Sequence, residues 1–379
     1  MSAAAQETSV PAPRENPELL GQEAAEAVLL RAAGEGRLAH AWLLTGPRGV
    51  GKATLAFRFA RHLLGQAGRS DHEPGLFGAP APPAGDMGLA PGHPVFRRVA
   101  SGGHLDLMVL EPRVNEQTGR PRTEITVDQV RRATDFLRLT ASEGGWRIVV
   151  VDSADALNAN AANALLKILE EPSRQSLLLL VSHAPGRLLP TVRSRCCHLA
   201  LRPLPEATVT HLLRRHLPDL DEAEALALAR LADGSIGRAL ELAEVGGLEL
   251  YGELVALLAG LAGSAGRPPG GFDAERLHGF ADKLARGSDL GAFRAARDLL
   301  LWWLARAVRA RSLGRAPEAV TEDEGPVLGG LAGRGSLAEW LALWDKVGHL
   351  LARVESANLD RKQALLAAFL ELEALARAD

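Results

Sequence analysis

Lysine is rare in this chain, standing only at positions 52, 167, 283, 346 and 362, while arginine is used almost everywhere else. Lys52 closes the run Gly46-Pro47-Arg48-Gly49-Val50-Gly51-Lys52, which has the G-x-x-x-x-G-K spacing of a phosphate-binding loop. Glycines at 46, 49 and 51 let backbone N–H groups curl around an anion. The start of the following helix adds its dipole, and the lysine reaches the outer phosphates.

Two groups that hydrolysis needs are missing. A magnesium-binding hydroxyl belongs directly after the lysine, where this sequence has Ala53. Thr54 is the nearest hydroxyl, but one residue along a helix is a rotation of about 100°, which turns it from the metal. The second acidic element, Val149-Val150-Val151-Asp152-Ser153, keeps an aspartate suited to hold Mg²⁺ through water. No carboxylate follows it to polarise an attacking water, and a serine hydroxyl ionises too far above neutral pH to serve as a general base. Gly46, Gly49, Gly51, Lys52, Thr54 and Asp152 are retained, so ATP or ADP is permitted at a degenerate loop but not required. No resident metal is expected.

The elements around these residues alternate. A short apolar run at 41–44 leads into Gly46, and a helix with Leu55, Phe59 and Leu63 on one stripe runs from Lys52 to about Leu64. A helix is also expected between Leu19 and Leu38. Strands are expected at 107–111, 147–152 and 177–181, with helices at 127–139 and 160–171, the last stopped by Pro172. Strands alternating with helices predict an α/β module, a parallel sheet covered on both faces. The Gly/Pro-rich stretch 65–103 reads as mostly loop. From Glu206 onward only helical patterns appear, broken by the Gly/Pro/Ser linker around 263–271, with longer helices near 273–286, 290–313, 336–351 and 360–377. Trp340 and Trp344, one turn apart, are expected to fill the core of that bundle.

The 379 residues carry 47% hydrophobic and 23% charged side chains with a net charge of −3, which excludes a protein that binds DNA through a strong positive field of its own. Cys196 and Cys197 are adjacent and form no disulfide framework, so a reducing cytoplasm is the expected compartment. No run of about eighteen apolar residues exists to span a membrane. The first sixteen residues lack the apolar core of a signal peptide and read as a disordered leader.

The segment Asp152–Pro172, DSADALNANAANALLKILEEP, resembles the bacterial clamp-loader AAA+ family. So do PTVRSRC at 190–196, with its Ser194-Arg195-Cys196 signature, HAWLLTG at 40–46 and the phosphate loop. Active members of that family are similar but carry Glu where Ser153 stands. The degraded site resembles the delta-prime branch, whereas gamma/tau motor subunits keep both groups. The resemblance implies a leader at 1–16, a RecA-like AAA+ module at 17–204, a helical lid at 205–262, a linker at 263–272 and an all-α collar domain at 273–379.

The resemblance also implies a mechanism. Arg195 would project into the ATP site of a neighbouring subunit as an arginine finger, a contribution of about 10³–10⁵ in rate. The implied partners are gamma/tau motor subunits and a delta subunit, and through the complex the sliding clamp and primed DNA. Leu20-Gly21-Gln22 matches the segment beside the nucleotide base. The alternatives are an active gamma/tau-type ATPase and an ATP-sensing subunit that does not hydrolyse. A salt bridge of Arg195 on its own surface is the plain structural alternative for that residue.

Two departures from the family pattern stand out. Many delta-prime relatives carry a four-cysteine zinc module between the first AAA+ helix and the next strand, but 65–103 contains no cysteine, and His72, His93 and His104 have no thiol partners, so no zinc is expected. The lid reads Gly234-Ser235-Ile236-Gly237-Arg238, with its arginine one place later than in the Gly-Ser-x-Arg of active relatives. Either Ser182 or His183 occupies the sensor position after the 177–181 strand.

Overall fold

The computed structural model describes residues 10–66, 87–112, 124–262, 271–286 and 290–377. By compactness the chain divides into two units, Met1–Leu212 with Gly234–Gly237, and Leu213–Asp233 with Arg238–Asp379.

The first unit contains α1 (Glu23–Gly34), β1 (Ala41–Thr45), α2 (Lys52–Gln66), α3 (Pro94–Ala100), β2 (Leu107–Leu110), α4 (Val127–Arg138), β3 (Arg147–Asp152), α5 (Ala159–Glu170), β4 (Ser176–Val181), α6 (Pro190–Arg193) and β5 (Cys197–Ala200). All strand pairs are parallel, in the order β2-β3-β4-β1-β5. Alternate side chains of each strand divide between two cores, as the two-residue period of a strand requires. Trp42, Leu44, Ile148, Val150, Leu177, Leu179 and Val181 pack with α1, α2 and α3. Ala41, Leu43, Val149, Val151, Leu178 and Leu180 pack with α4, α5 and α6. Burial on both faces explains why β3 and β4 are almost unbroken in Val, Ile and Leu.

The pairing also sets the ends of the central strands level. Leu44 and Asp152 both lie beside Val181, so the phosphate loop, Asp152 and Ser182 emerge together at the carboxyl edge. Open α/β sheets bind ligands at that edge. Caps fix where the helices start: Gln129 closes a box on the backbone N–H of Thr126 ahead of α4, and Asn158 accepts from Ala161 N ahead of α5.

The leader departs from expectation. Residues 1–9 lie outside the described residues, but 10–16 are placed, and Arg61 of α2 takes its acceptors from that stretch. Arg61, 1% exposed, donates to the carbonyls of Arg14 and Asn16 and stacks over Phe96; Arg58 donates to Pro17 O and pairs with Glu26. Burial, with Arg58 alongside, lowers the Arg61 pKa to about 10. The stretch 65–103 differs as well. Residues 67–86 lie outside the described residues, and α3 follows, with Pro94 in its first turn and His93 Nδ1 accepting from Val95 N.

The chain continues with α7 (Glu206–His216), α8 (Glu222–Leu231), α9 (Ile236–Glu244), α10 (Gly247–Ala262), α11 (Ala274–Ala285), α12 (Gly291–Leu313), α13 (Glu324–Ala332), α14 (Leu337–Ser356) and α15 (Arg361–Arg377). Within the second unit, α10 packs on α8, α11, α12, α13 and α15, so helices expected for a lid and for a collar share one core. Most of the expected linker, 263–270, lies outside the described residues. Trp303 and Trp340 meet at that core, 6.4 Å between ring centroids. Trp344 does not join them. It is 42% exposed, and its ring N–H donates to Leu301 O at 3.2 Å. Among the described residues no single helix is long and apolar enough to cross a membrane.

Candidate functional site

The phosphate loop is bound down through its carbonyls. Gln22 Nε2 donates to Val50 O at 3.2 Å and to Arg202 O at 2.8 Å. Ser235 Oγ donates to Arg48 O at 2.7 Å, and Gly237 N to Gly49 O at 3.0 Å. Gln22 was expected beside a nucleotide base; here its amide bridges the loop to the chain leaving β5. Ser235 is 4% exposed, so the Gly234–Gly237 segment is a built part of the loop's surroundings.

Gly49 shows why the loop needs glycine. Its φ is +78°, and a Cβ there would lie 2.3 Å from Ser235 Oγ and 2.9 Å from Gly237 Cα. Gly49→Ala is expected to destabilise the first unit by roughly 2–4 kcal/mol, from left-handed strain plus overpacking. Gly186→Ala, which meets no atom within 4 Å, is the control. Thermal melts of the two variants check this: equal melting temperatures contradict the close approach.

Lys52 is 3% exposed and donates to Gly46 O at 2.8 Å and to Pro47 O. Burial lowers its pKa to about 8, with Asp155 and Asp152 pulling the other way, so the ammonium is kept at neutral pH. Burial raises the Asp152 pKa, reinforced by Glu111 and opposed by Lys52 and Arg14. Thr54 is buried at 8% exposure within α2. Ala53 directly follows Lys52 in α2, and Ser153 directly follows Asp152 at the end of β3. The loop glycines, Lys52 and Asp152 are thus brought together, with Ala53 and Ser153 as their chain neighbours.

Sequence reasoning missed Asp155. Its carboxylate accepts from Ser182 Oγ at 2.7 Å, from His183 N and from Ala184 N at 3.3 Å. The two residues weighed for the sensor position are placed differently. Ser182 is fully buried and turned to Asp155, while His183 contributes its backbone N–H and has an exposed side chain. The Asp152–Asp155 spacing was the available signal.

Arg195 lies elsewhere on the first unit, between α6 and β5. Val192 and Cys196 anchor this turn in the core, and Cys196 Sγ donates to Val192 O at 3.3 Å. Burial, with Cys197 beside it, pushes the Cys196 thiol up to about 12, so it packs and is no nucleophile. The Arg195 side chain is 37% exposed; it pairs with Glu170 at 2.8 Å and donates to Thr191 O at 3.0 Å. The surface salt bridge weighed from sequence is therefore present. Arg238 belongs to the second unit, where burial lowers its pKa against the pull of Asp298, Asp233 and Glu241. Among the described residues no three His, Cys, Asp or Glu side chains are grouped as metal ligands; His72 lies outside them.

The family described as "DNA polymerase III, delta subunit" matches residues 90–205, from α3 through β5. The DNA polymerase III subunit delta' of Pseudomonas aeruginosa is 45% identical over 204 residues, 53% of this chain and 55% of that protein. Over this first half the chain is similar to delta' subunits. The Escherichia coli subunit delta' is 35% identical over 208 residues, 55% of each chain. A subunit gamma/tau of Mycobacterium tuberculosis is 32% identical over 198 residues, 52% of this chain and 30% of that one. The chain thus spans about half the length of the delta' relatives it matches.

Proposed function

We propose that this chain is a stator of the DNA polymerase III clamp loader in the cytoplasm, with no independent ATPase activity, and that it supplies Arg195 to the ATP site of a neighbouring gamma/tau motor subunit. A delta subunit completes the ring, and the complex opens the sliding clamp and places it on primed DNA. The observation that carries the reading is the state of Arg195. Its exposed ion pair with Glu170 is of a kind worth only about 0.2–1 kcal/mol. A finger acting in trans lowers a barrier by about 4–7 kcal/mol. The ion pair is then a resting position from which the guanidinium leaves at small cost.

The site on the chain itself supports the same reading from the other side. Its glycines and Lys52 keep the loop's shape, while Ala53 and Ser153 withhold a metal ligand and a base. An active gamma/tau-type ATPase is disfavoured by those deletions. Mixing the chain with gamma/tau and delta subunits and following complex formation by size exclusion tests the assembly. ATP turnover by the chain alone tests the degenerate site. Co-elution and no turnover are expected; failure to assemble, or turnover at a motor subunit's rate, contradicts the reading.

A further inference from the structure

We infer that Asp155 is a positioning residue for Arg195, holding the turn between β4 and α6 in the one arrangement that presents the arginine outward; this rests on the finger reading above.

Asp155 follows β3 by three residues and sits in the short turn Ala154–Ala156, just before the Asn158 cap of α5. Its carboxylate takes three hydrogen bonds from three consecutive residues after β4, namely Ser182, His183 and Ala184. Hydrogen bonds to a charged acceptor are the strong kind, and Ser182 is fully buried. The clamp therefore fixes where the chain leaves the sheet. From there the connection to the finger is short. Arg187 N donates to Ala184 O, Leu188 N to Pro185 O, and Arg193 Nη1 to Pro185 O. Leu188, Val192 and Cys196 then seat the α6 turn in the core beneath Arg195.

The other side of the clamp leads to the same place. α5 begins four residues beyond Asp155 and ends on Glu170, the carboxylate against which Arg195 rests. One side chain thus ties together both elements that bear on the guanidinium. Its charge also acts on Lys52, raising that pKa against burial. Asp155 touches no reacting atom of the neighbouring site and acts only through the turn. Asparagine has the same shape but offers one acceptor oxygen and an NH₂ group, which would oppose one of the N–H donors. Asp155→Asn therefore removes the clamp without opening a cavity.

The test uses the assembled loader with clamp and primed DNA, carrying wild type, Asp155→Asn, Ser182→Ala, Arg195→Ala or the Asp155→Asn/Arg195→Ala pair in this chain only. Misplacing a catalytic group by about 1 Å costs up to about 10²-fold. Asp155→Asn is expected to lower kcat roughly 10-fold or more with KM for ATP unchanged. Ser182→Ala, which removes one of the three bonds, is expected to fall between it and wild type. The double variant is expected to match Arg195→Ala alone. Hydrogen exchange on the full chain is expected to quicken at His183, Ala184 and 188–196 and to stay unchanged in β1 and α2.

Wild-type kcat in both clamp variants beside a deficient Arg195→Ala overturns the positioning role and leaves the finger intact. So does a double variant slower than Arg195→Ala, which would show Asp155 acting by another route. No effect of Arg195→Ala removes the finger reading itself. If Asp155→Asn fails to fold, Ser182→Ala carries the same comparison.

Discussion

Arg195→Ala in this chain is expected to slow hydrolysis at the adjoining ATP site by about 10³-fold or more, while leaving the chain folded and assembled. The side chain is 37% exposed and its ion pair is at the surface, so its removal costs the chain itself no more than about 1 kcal/mol. The packing that holds the turn belongs to Val192 and Cys196, which the substitution leaves alone. The effect is therefore on catalysis and not on stability. Arg195→Lys is expected to recover little, because an ammonium cannot reproduce the planar fork that spans two phosphoryl oxygens. Single-turnover hydrolysis of the assembled loader, with melting temperatures of the free chain alongside, separates these effects.

Glu324→Ala is expected to have the largest effect on stability. The Glu324 side chain is fully buried and pairs with Arg306, 11% exposed, at 2.9 Å. Its second oxygen accepts from Val320 N at 2.6 Å, and Arg306 also donates to Glu318 O and lies 4.6 Å over the Trp302 ring. Burial, and the Glu324 charge beside it, push the Tyr251 phenol far up, so that phenol stays neutral. Removing the carboxylate strands the guanidinium in the core, which costs about 3–5 kcal/mol. For a unit of this size that is a fall of roughly 6–20 °C in melting temperature. Replacing both partners together, Arg306→Met with Glu324→Leu, is expected to recover much of the loss, since an apolar pair of similar volume leaves no charge uncompensated. A double variant as unstable as Glu324→Ala would show that the pair's geometry, and not the stranded charge, sets the cost.

Much of the sheet was legible because its signal is local and strong. A run such as Arg147–Asp152 has one reading when both faces of a strand are buried, and Gly46–Lys52 one reading between a strand and a helix. Elements with a weak local signal were missed. α3 begins at Pro94 inside a Gly/Pro-rich window, so the composition of the window hid a helix that proline starts well. α13 carries Pro326, Gly329 and Gly330, poor helix formers that the packing of Val327, Leu328 and Leu331 overrides. β5 has only one buried residue, Leu199, and no periodic pattern to read.

At the site the division is similar. Gly46, Gly49, Gly51, Lys52 and Asp152 could be singled out because their spacing along the chain is itself the motif. Asp155 and Ser235 were not given roles and Ser182 stood only as one of two sensor candidates, because what makes them matter is contact across 27 and 187 residues of chain. Trp344 failed for a geometric reason. Four residues along a helix is a rotation of about 40° beyond a full turn, enough to carry its ring from the core beside Trp340 to the edge.

The most direct test of the stator reading is steady-state ATP turnover by the loader with clamp and primed DNA, comparing Arg195→Ala and Lys52→Ala placed in this chain alone. Loss of most turnover with Arg195→Ala and near wild-type turnover with Lys52→Ala is the expected result. A damaging Lys52→Ala beside a harmless Arg195→Ala, with ATP hydrolysis by the chain on its own, would contradict it and make this chain a motor.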